Sequence, residues 1–134
     1  MIVVDASALL EVLLQTGAAP RVSRRLFRAG ETLCAPHLID LEITQALRRY
    51  AAAREISPER GFEAVEDLAD FPLERYPHQP FLHRIWELRS NLTAYDAAYV
   101  ALAEVLDARL VTCDRALAAA PGHRARVELI KGSS

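Results

Sequence analysis

Four acidic residues carry the chemistry open to this chain: Asp5, Glu42, Asp96 and Asp114. Asp5 closes the apolar run Ile2-Val3-Val4, and Asp114 follows Leu110-Val111-Thr112-Cys113. Glu42 and Asp96 fall in the first turns of two segments with helical periodicity. In a parallel α/β sheet, strand C-termini and helix N-termini share one edge, and open sheets bind ligands there. Four carboxylates on one edge repel and raise one another's pKa values. A divalent cation relieves that repulsion. Hard carboxylate oxygens suit Mg²⁺ or Mn²⁺, and such an ion binds a phosphate and acidifies an attacking water. The pattern points to metal-assisted chemistry.

Each acid also has a plainer role. Asp5 and Asp114 are favoured types for capping the helices that follow them. Asp96 stands three residues after Thr93, the spacing of a capping box. Glu42 shares its helix with Asp40, and both flank the apolar arc, so periodicity leaves the choice between them open. Convergence favours the functional reading, since independent caps need not fall on one edge of one sheet. Asp96 also faces Tyr99, Val100 and Ala103, among which a lone charge needs a partner.

The elements that must position these acids follow from periodicity. Short β-branched or apolar runs predict strands over residues 2–5, 32–35, 71–75, 109–112 and 126–130. Helices are predicted over 7–15, 19–29, from near Pro36 to about Arg54, from Ser57-Pro58 to Leu68, and over 81–89, 93–106 and 115–119. Strands alternating with helices imply an α/β fold: a central parallel sheet of four to five strands, covered by helices on both faces in three layers. Residues 1–131 are expected to form one domain, with 132–134 as a tail.

The 134 residues suffice for one domain with a sound core. The hydrophobic content of 51% excludes a disordered chain, and a net charge of −2 neither demands nor forbids a nucleic-acid partner. Lys131 is the sole lysine, so cationic chemistry rests on arginine. Two arginine clusters, Arg21–Arg24–Arg25–Arg28 and Arg48–Arg49–Arg54, are either solvated helix faces or paths for a phosphate backbone. Cys34 and Cys113 lack metal-ligand spacing and suit reduced cysteines of a cytoplasmic protein. No signal peptide and no membrane span are expected.

Four stretches together resemble the PIN-domain nucleases: Ile2-Val3-Val4-Asp5-Ala6-Ser7-Ala8, Glu42-Ile43-Thr44-Gln45-Ala46-Leu47-Arg48-Arg49, Leu92 to Ala103, and Leu110-Val111-Thr112-Cys113-Asp114. The likeness is nearest to the VapC toxins of bacterial toxin–antitoxin pairs, covers nearly the whole chain, and is most specific in Thr93-Ala94-Tyr95-Asp96-Ala97-Ala98-Tyr99. It implies Asp5 and Asp96 as principal ligands of Mg²⁺ or Mn²⁺, with Glu42 and Asp114 completing a catalytic acidic site. Ser7 and Thr112 match small hydroxyl positions beside the metal, and Asn91 matches a position often polar in the family. The resemblance further implies an endoribonuclease cutting single-stranded or loop RNA to leave a 5′-phosphate, a homodimer, and a small antitoxin partner.

Competing classes fit less well. A haloacid-dehalogenase-type phosphatase needs a second Asp where Ser7 stands, and a receiver domain needs an acidic pair and a strand-end Lys. A housekeeping RNA-processing nuclease shares the same site. A non-catalytic module gripping a basic peptide with its acidic edge is the reading from another class.

Overall fold

The computed structural model describes residues 1–133. Five strands form one sheet: β1 (Ile2–Val4), β2 (Leu33–Pro36), β3 (Glu74–Tyr76), β4 (Arg109–Thr112) and β5 (Val127–Leu129), in the order β3-β2-β1-β4-β5. All pairings are parallel. The chain leaves β1 toward β2 and β3, then returns to the other side of β1 as β4 and β5. The switch point of the topology therefore lies between β1 and β4, where such sheets open a crevice at the strand C-termini.

Seven helices fill the connections: α1 (Ala6–Leu13), α2 (Ala19–Leu26), α3 (Leu38–Ala52), α4 (Pro58–Ala69), α5 (Leu82–Glu87), α6 (Ala94–Leu106) and α7 (Arg115–Ala119). A 3₁₀ turn, Gln79–Phe81, leads into α5. Successive strand side chains point to opposite faces, and Ile2, Val3 and Val4 are each at most 1% exposed. Both faces of the central strand are thus covered, which is why its sequence is continuously apolar rather than alternating. Helix α6 packs against β1, β2 and β4 and buries every residue from Ala97 to Ala103. Its small residues let the backbone approach the sheet closely.

Several boundaries differ from the sequence expectation. Pro36 ends β2 instead of opening α3, which begins at Leu38. Pro36 pairs with Tyr76, and the next residue, His37, donates its N–H to the Tyr76 carbonyl at 2.8 Å. The ladder therefore runs past a residue that has no donor of its own. Strand β3 lies at 74–76 rather than 71–75, because Phe71 leaves the sheet to pack on Phe27, ring centroids 5.9 Å apart. Helix α2 ends at Leu26, short of the expected Ala29. Gly132 and Ser133 lie against α1: Ser133 N–H donates to Glu11, and Ser133 Oγ accepts from Ala18 N–H. Among the described residues no helix is long and apolar enough to cross a membrane.

Candidate active site

Asp5 stands one residue beyond β1, and its N–H donates to Val111 O of β4 at 3.2 Å. That bond holds it over the switch point. Its carboxylate is 4% exposed and takes three donors. Oδ1 accepts from Ser7 Oγ at 2.7 Å and from Ala8 N–H at 3.1 Å, and Oδ2 accepts from Thr112 Oγ1 at 2.5 Å. The Ser7 and Thr112 oxygens lie 3.2 Å apart. Both hydroxyl protons already point to Asp5, so this is a contact rather than a bond between them.

The same two hydroxyls reach onward. Ser7 Oγ accepts from Cys113 N–H at 3.0 Å, and Thr112 Oγ1 accepts from Asp114 N–H at 2.9 Å. They tie the end of β1 to the end of β4. Asp114 caps α7, its Oδ1 accepting from Ala116 and Leu117 N–H groups. Asp5 caps α1 through Ala8. The capping role of both residues is real, and it fixes their carboxylates on the crevice edge.

Thr93 caps α6 by accepting from Asp96 N–H at 3.1 Å, which sets Asp96 half-buried in the first turn. Glu42, on α3, accepts from the Tyr99 hydroxyl at 2.6 Å. Tyr99 is three residues beyond Asp96, on the buried side of α6, and the sequence reading did not assign it to the site. Its signal was the spacing that sets it beside Asp96. Burial and the surrounding acids push its hydroxyl pKa far upward, so it remains a neutral donor.

The structure separates Glu42 from Asp40. Asp40 is ion-paired with Arg75 of β3 at 2.8 Å, and Arg75 also donates to the Leu68 carbonyl. No spacing within α3 reveals this, because the partner lies 35 residues away. Asn91 is exposed, with its amide against Gly122, and makes no hydrogen bond to the four acids among the described residues.

Charge confirms that the acids sense one another. Desolvation raises the Asp5 pKa from 3.8 to about 6 against its three hydrogen bonds, with a smaller push from Asp96. Desolvation also raises Glu42, helped by Asp96 and Asp5 and opposed by the Tyr99 hydroxyl. Asp96 is raised by desolvation and then by Asp114. None of the four forms an ion pair among the described residues, although nine ion pairs exist elsewhere. An all-oxygen, uncompensated set of this kind suits a hard divalent cation. As the side chains stand, no three His, Cys, Asp or Glu groups among the described residues close on a single point.

A PIN domain profile matches residues 2–122. The chain belongs to the PIN-domain family. Ribonuclease VapC12 of Mycobacterium tuberculosis is 45% identical over 130 residues, covering 97% of this chain and 99% of that protein. Ribonuclease VapC1 of the same species is 44% identical, covering 96% and 97%. Among solved structures, PAE2754 from Pyrobaculum aerophilum superposes with a TM-score of 0.67 at 26% identity, covering 94% of this chain and 81% of that one. A toxin–antitoxin complex from Klebsiella pneumoniae gives 0.68 at 16% identity, covering 99% and 100%, and this likeness speaks to the fold alone. In this PIN domain the four acids therefore stand on a family scaffold, at the crevice its topology creates.

Proposed function

We propose that this chain is a Mg²⁺- or Mn²⁺-dependent endoribonuclease that acts as the toxin of a toxin–antitoxin pair. The observation that carries the reading is the uncompensated acidic edge: four carboxylates from four parts of the chain, without one basic partner among the described residues. Relatives called ribonucleases over nearly the full length support the reaction class.

Asp5 and Asp96 are the principal ligands in this reading, with Glu42 and Asp114 beside them. When bound, the metal neutralises the scissile phosphate and lowers the pKa of the attacking water. The remaining work belongs to the chain. Ser7 and Thr112 hold both oxygens of Asp5 in fixed directions, and Tyr99 does the same for one oxygen of Glu42. One of the carboxylates accepts the proton that the water loses as its oxygen attacks phosphorus. The bond from phosphorus to the 3′-oxygen breaks, that oxygen takes a proton from solvent, and a 5′-phosphate is left on the other product. Asp5, Glu42 and Asp96 are raised first by burial and further by a neighbouring acid, so a bound cation would stabilise their charged forms. A homodimer and a small protein antitoxin complete the reading.

Purified wild type, Asp5→Asn and Asp96→Asn should be compared on total RNA, with Mg²⁺ or with chelator. Cleavage by wild type alone, and only with metal, is expected. Cleavage that survives both substitutions and the chelator overturns the assignment. Induced expression should arrest growth, and co-expression of a small partner should relieve it. Harmless expression of a protein that still cuts RNA would mark a housekeeping processing nuclease instead.

A further inference from the structure

Two grooves border the hydroxyl-bridged ends of β1 and β4. One, of about 620 Å³, is lined by Ser7, Leu10, Glu42, Gln45, Arg49 and Tyr95. The other, of about 480 Å³, is lined by Cys113, Arg115, Leu129 and Lys131 among others. Ser7 lines the first and Cys113 the second, and the two residues are joined by the 3.0 Å bond from Cys113 N–H to Ser7 Oγ. The junction is therefore the hydroxyl-bridged end of β1 and β4, where Asp5 sits.

Each groove carries cations that nothing in the fold uses. Arg49, Arg115 and Lys131 are exposed and form no ion pair among the described residues. This sets them apart from Arg25, which is buried and bonded to Glu128 and Glu31, and from Arg75 and Arg84, which hold Asp40 and Glu104. On α3, Glu42, Gln45 and Arg49 recur at helical spacing, and seven residues carry Arg49 about 10 Å along the axis from Glu42. That offset sets Arg49 along the groove from the acids and suits a phosphate next to the scissile one. Around it the walls are apolar or aromatic, with Leu10 and the exposed Tyr95 available to bases.

We propose that one RNA strand lies in both grooves at once, with Arg49 holding a phosphate on one side of the scissile bond and Arg115 with Lys131 holding one on the other. This rests on the ribonuclease reading and deepens it. Cations flank an anionic centre, so the strand's outer phosphates are drawn in while the central one requires a metal. The arrangement selects a single strand that can bend over the sheet edge. It also divides the sequence's arginine clusters: Arg49 belongs to the substrate path, whereas Arg25 is structural.

The experiment uses the full chain and a single-stranded RNA oligonucleotide that contains a cleavage site mapped with wild type. Arg49→Ala, Arg115→Ala and Lys131→Ala should each raise KM, by about ten-fold for Arg49→Ala, which is about 1.4 kcal/mol. In each, kcat should change less than KM. Each should also flatten the logarithmic salt dependence of binding by about 0.7, the single-strand value for one lost contact. Arg49→Lys should recover most of the loss. Shortening the oligonucleotide on one side of the cut should erase the Arg49→Ala effect alone, and shortening it on the other side should erase the effects of Arg115→Ala and Lys131→Ala.

The track is overturned if all three substitutions respond to the same side, or if none alters the salt dependence. It is equally overturned if Arg49→Ala leaves RNA untouched and weakens only the binding of a co-expressed protein partner. Fluorescence anisotropy with the same oligonucleotide under chelator reads the grooves without cleavage. A wild type that binds with these three dependences but cuts nothing with Mg²⁺ or Mn²⁺ supports the track and removes the nuclease reading. A wild type that neither binds nor cuts removes both.

Discussion

Asp5 and Glu104 both turn their carboxylates away from solvent, Asp5 buried and Glu104 partly so. Their ionisation goes in opposite directions. Glu104 accepts two bonds from Arg84, at 2.8 and 2.9 Å, and a third from Arg124 N–H, and these hold its pKa below the ordinary value. Asp5 also accepts three bonds, all from neutral donors, and its pKa rises to about 6. Bond number is the same. Asp5 lies deeper, so desolvation weighs more on it, and it has no guanidinium to offset that cost. Glu128 repeats the Glu104 pattern with Arg25, and Glu31 is lowered first by the Met1 amino group and then by Arg25. Where this fold wants a carboxylate for structure it supplies an arginine, and at the crevice it supplies neutral hydroxyl and amide donors.

The sharpest way to break that comparison is to neutralise one acid of each kind. Asp5→Asn or Asp96→Asn should lower RNA cleavage on the order of 10³-fold or more, since either removes a principal ligand. Both should leave the fold intact. Glu104→Gln should do the reverse. It strands Arg84 and weakens the acceptor for Arg124 N–H, so stability should fall by about 2 kcal/mol, with cleavage per folded molecule preserved. Urea unfolding beside a cleavage assay separates the two outcomes. A Glu104→Gln enzyme that is stable but inactive would erase the distinction between the regions.

The next effect is on pH dependence without metal. Asp5 has a folded pKa of about 6 against 3.8 for the unconstrained group, so the folded state binds its proton more tightly. Its favourable contribution is complete below pH 3.8 and lost as pH rises through about 6. The full difference corresponds to about 3 kcal/mol. Paired acids such as Glu104 and Glu128 have lowered pKa values, and their contribution instead fades as pH falls through those values. Metal-free protein should therefore gain a component of stability between pH 7.5 and pH 5 that Asp5→Asn lacks. Mg²⁺ should raise the melting temperature more at pH 7.5 than at pH 5. Equal melting shifts in wild type and Asp5→Asn would show that Asp5 does not carry this term.

Much of this was legible in the chain. Continuous apolar runs ending in Asp mark β1 and β4, and the Ala-rich surroundings of Asp96 mark α6 as buried. Those local signals suffice to place three acids on one edge. What stayed hidden depends on pairs distant in sequence. Asp40 and Glu42 are equivalent on α3 until Arg75 takes the first and Tyr99 the second. The end of β2 was misplaced because Pro36 signals a helix start locally, while His37 supplies the missing donor to Tyr76 from the next position. The unpaired state of Arg49 is likewise invisible, because it depends on which acids the fold brings near it.

The smallest expected effect tests the hydroxyls themselves. Thr112 Oγ1 donates to Asp5 and accepts from Asp114 N–H, so it couples two acids that stand on adjacent strands. Thr112→Val keeps the shape and removes both bonds. Asp5 then loses a donor that stabilises its charge, so its pKa should move further up, and the Asp114 amide loses its acceptor at a cost of about 1 kcal/mol. Supporting bonds of this kind typically set metal affinity by about ten-fold or more. Calorimetric titration with Mn²⁺ should show a loss of about that size in Thr112→Val and near wild-type binding in Thr112→Ser. If valine binds metal as well as threonine, the hydroxyl serves only to join β1 to β4. The contrast between arginine-held and hydroxyl-held acids would then reduce to the absence of a cation, with no orienting role for the groups in its place.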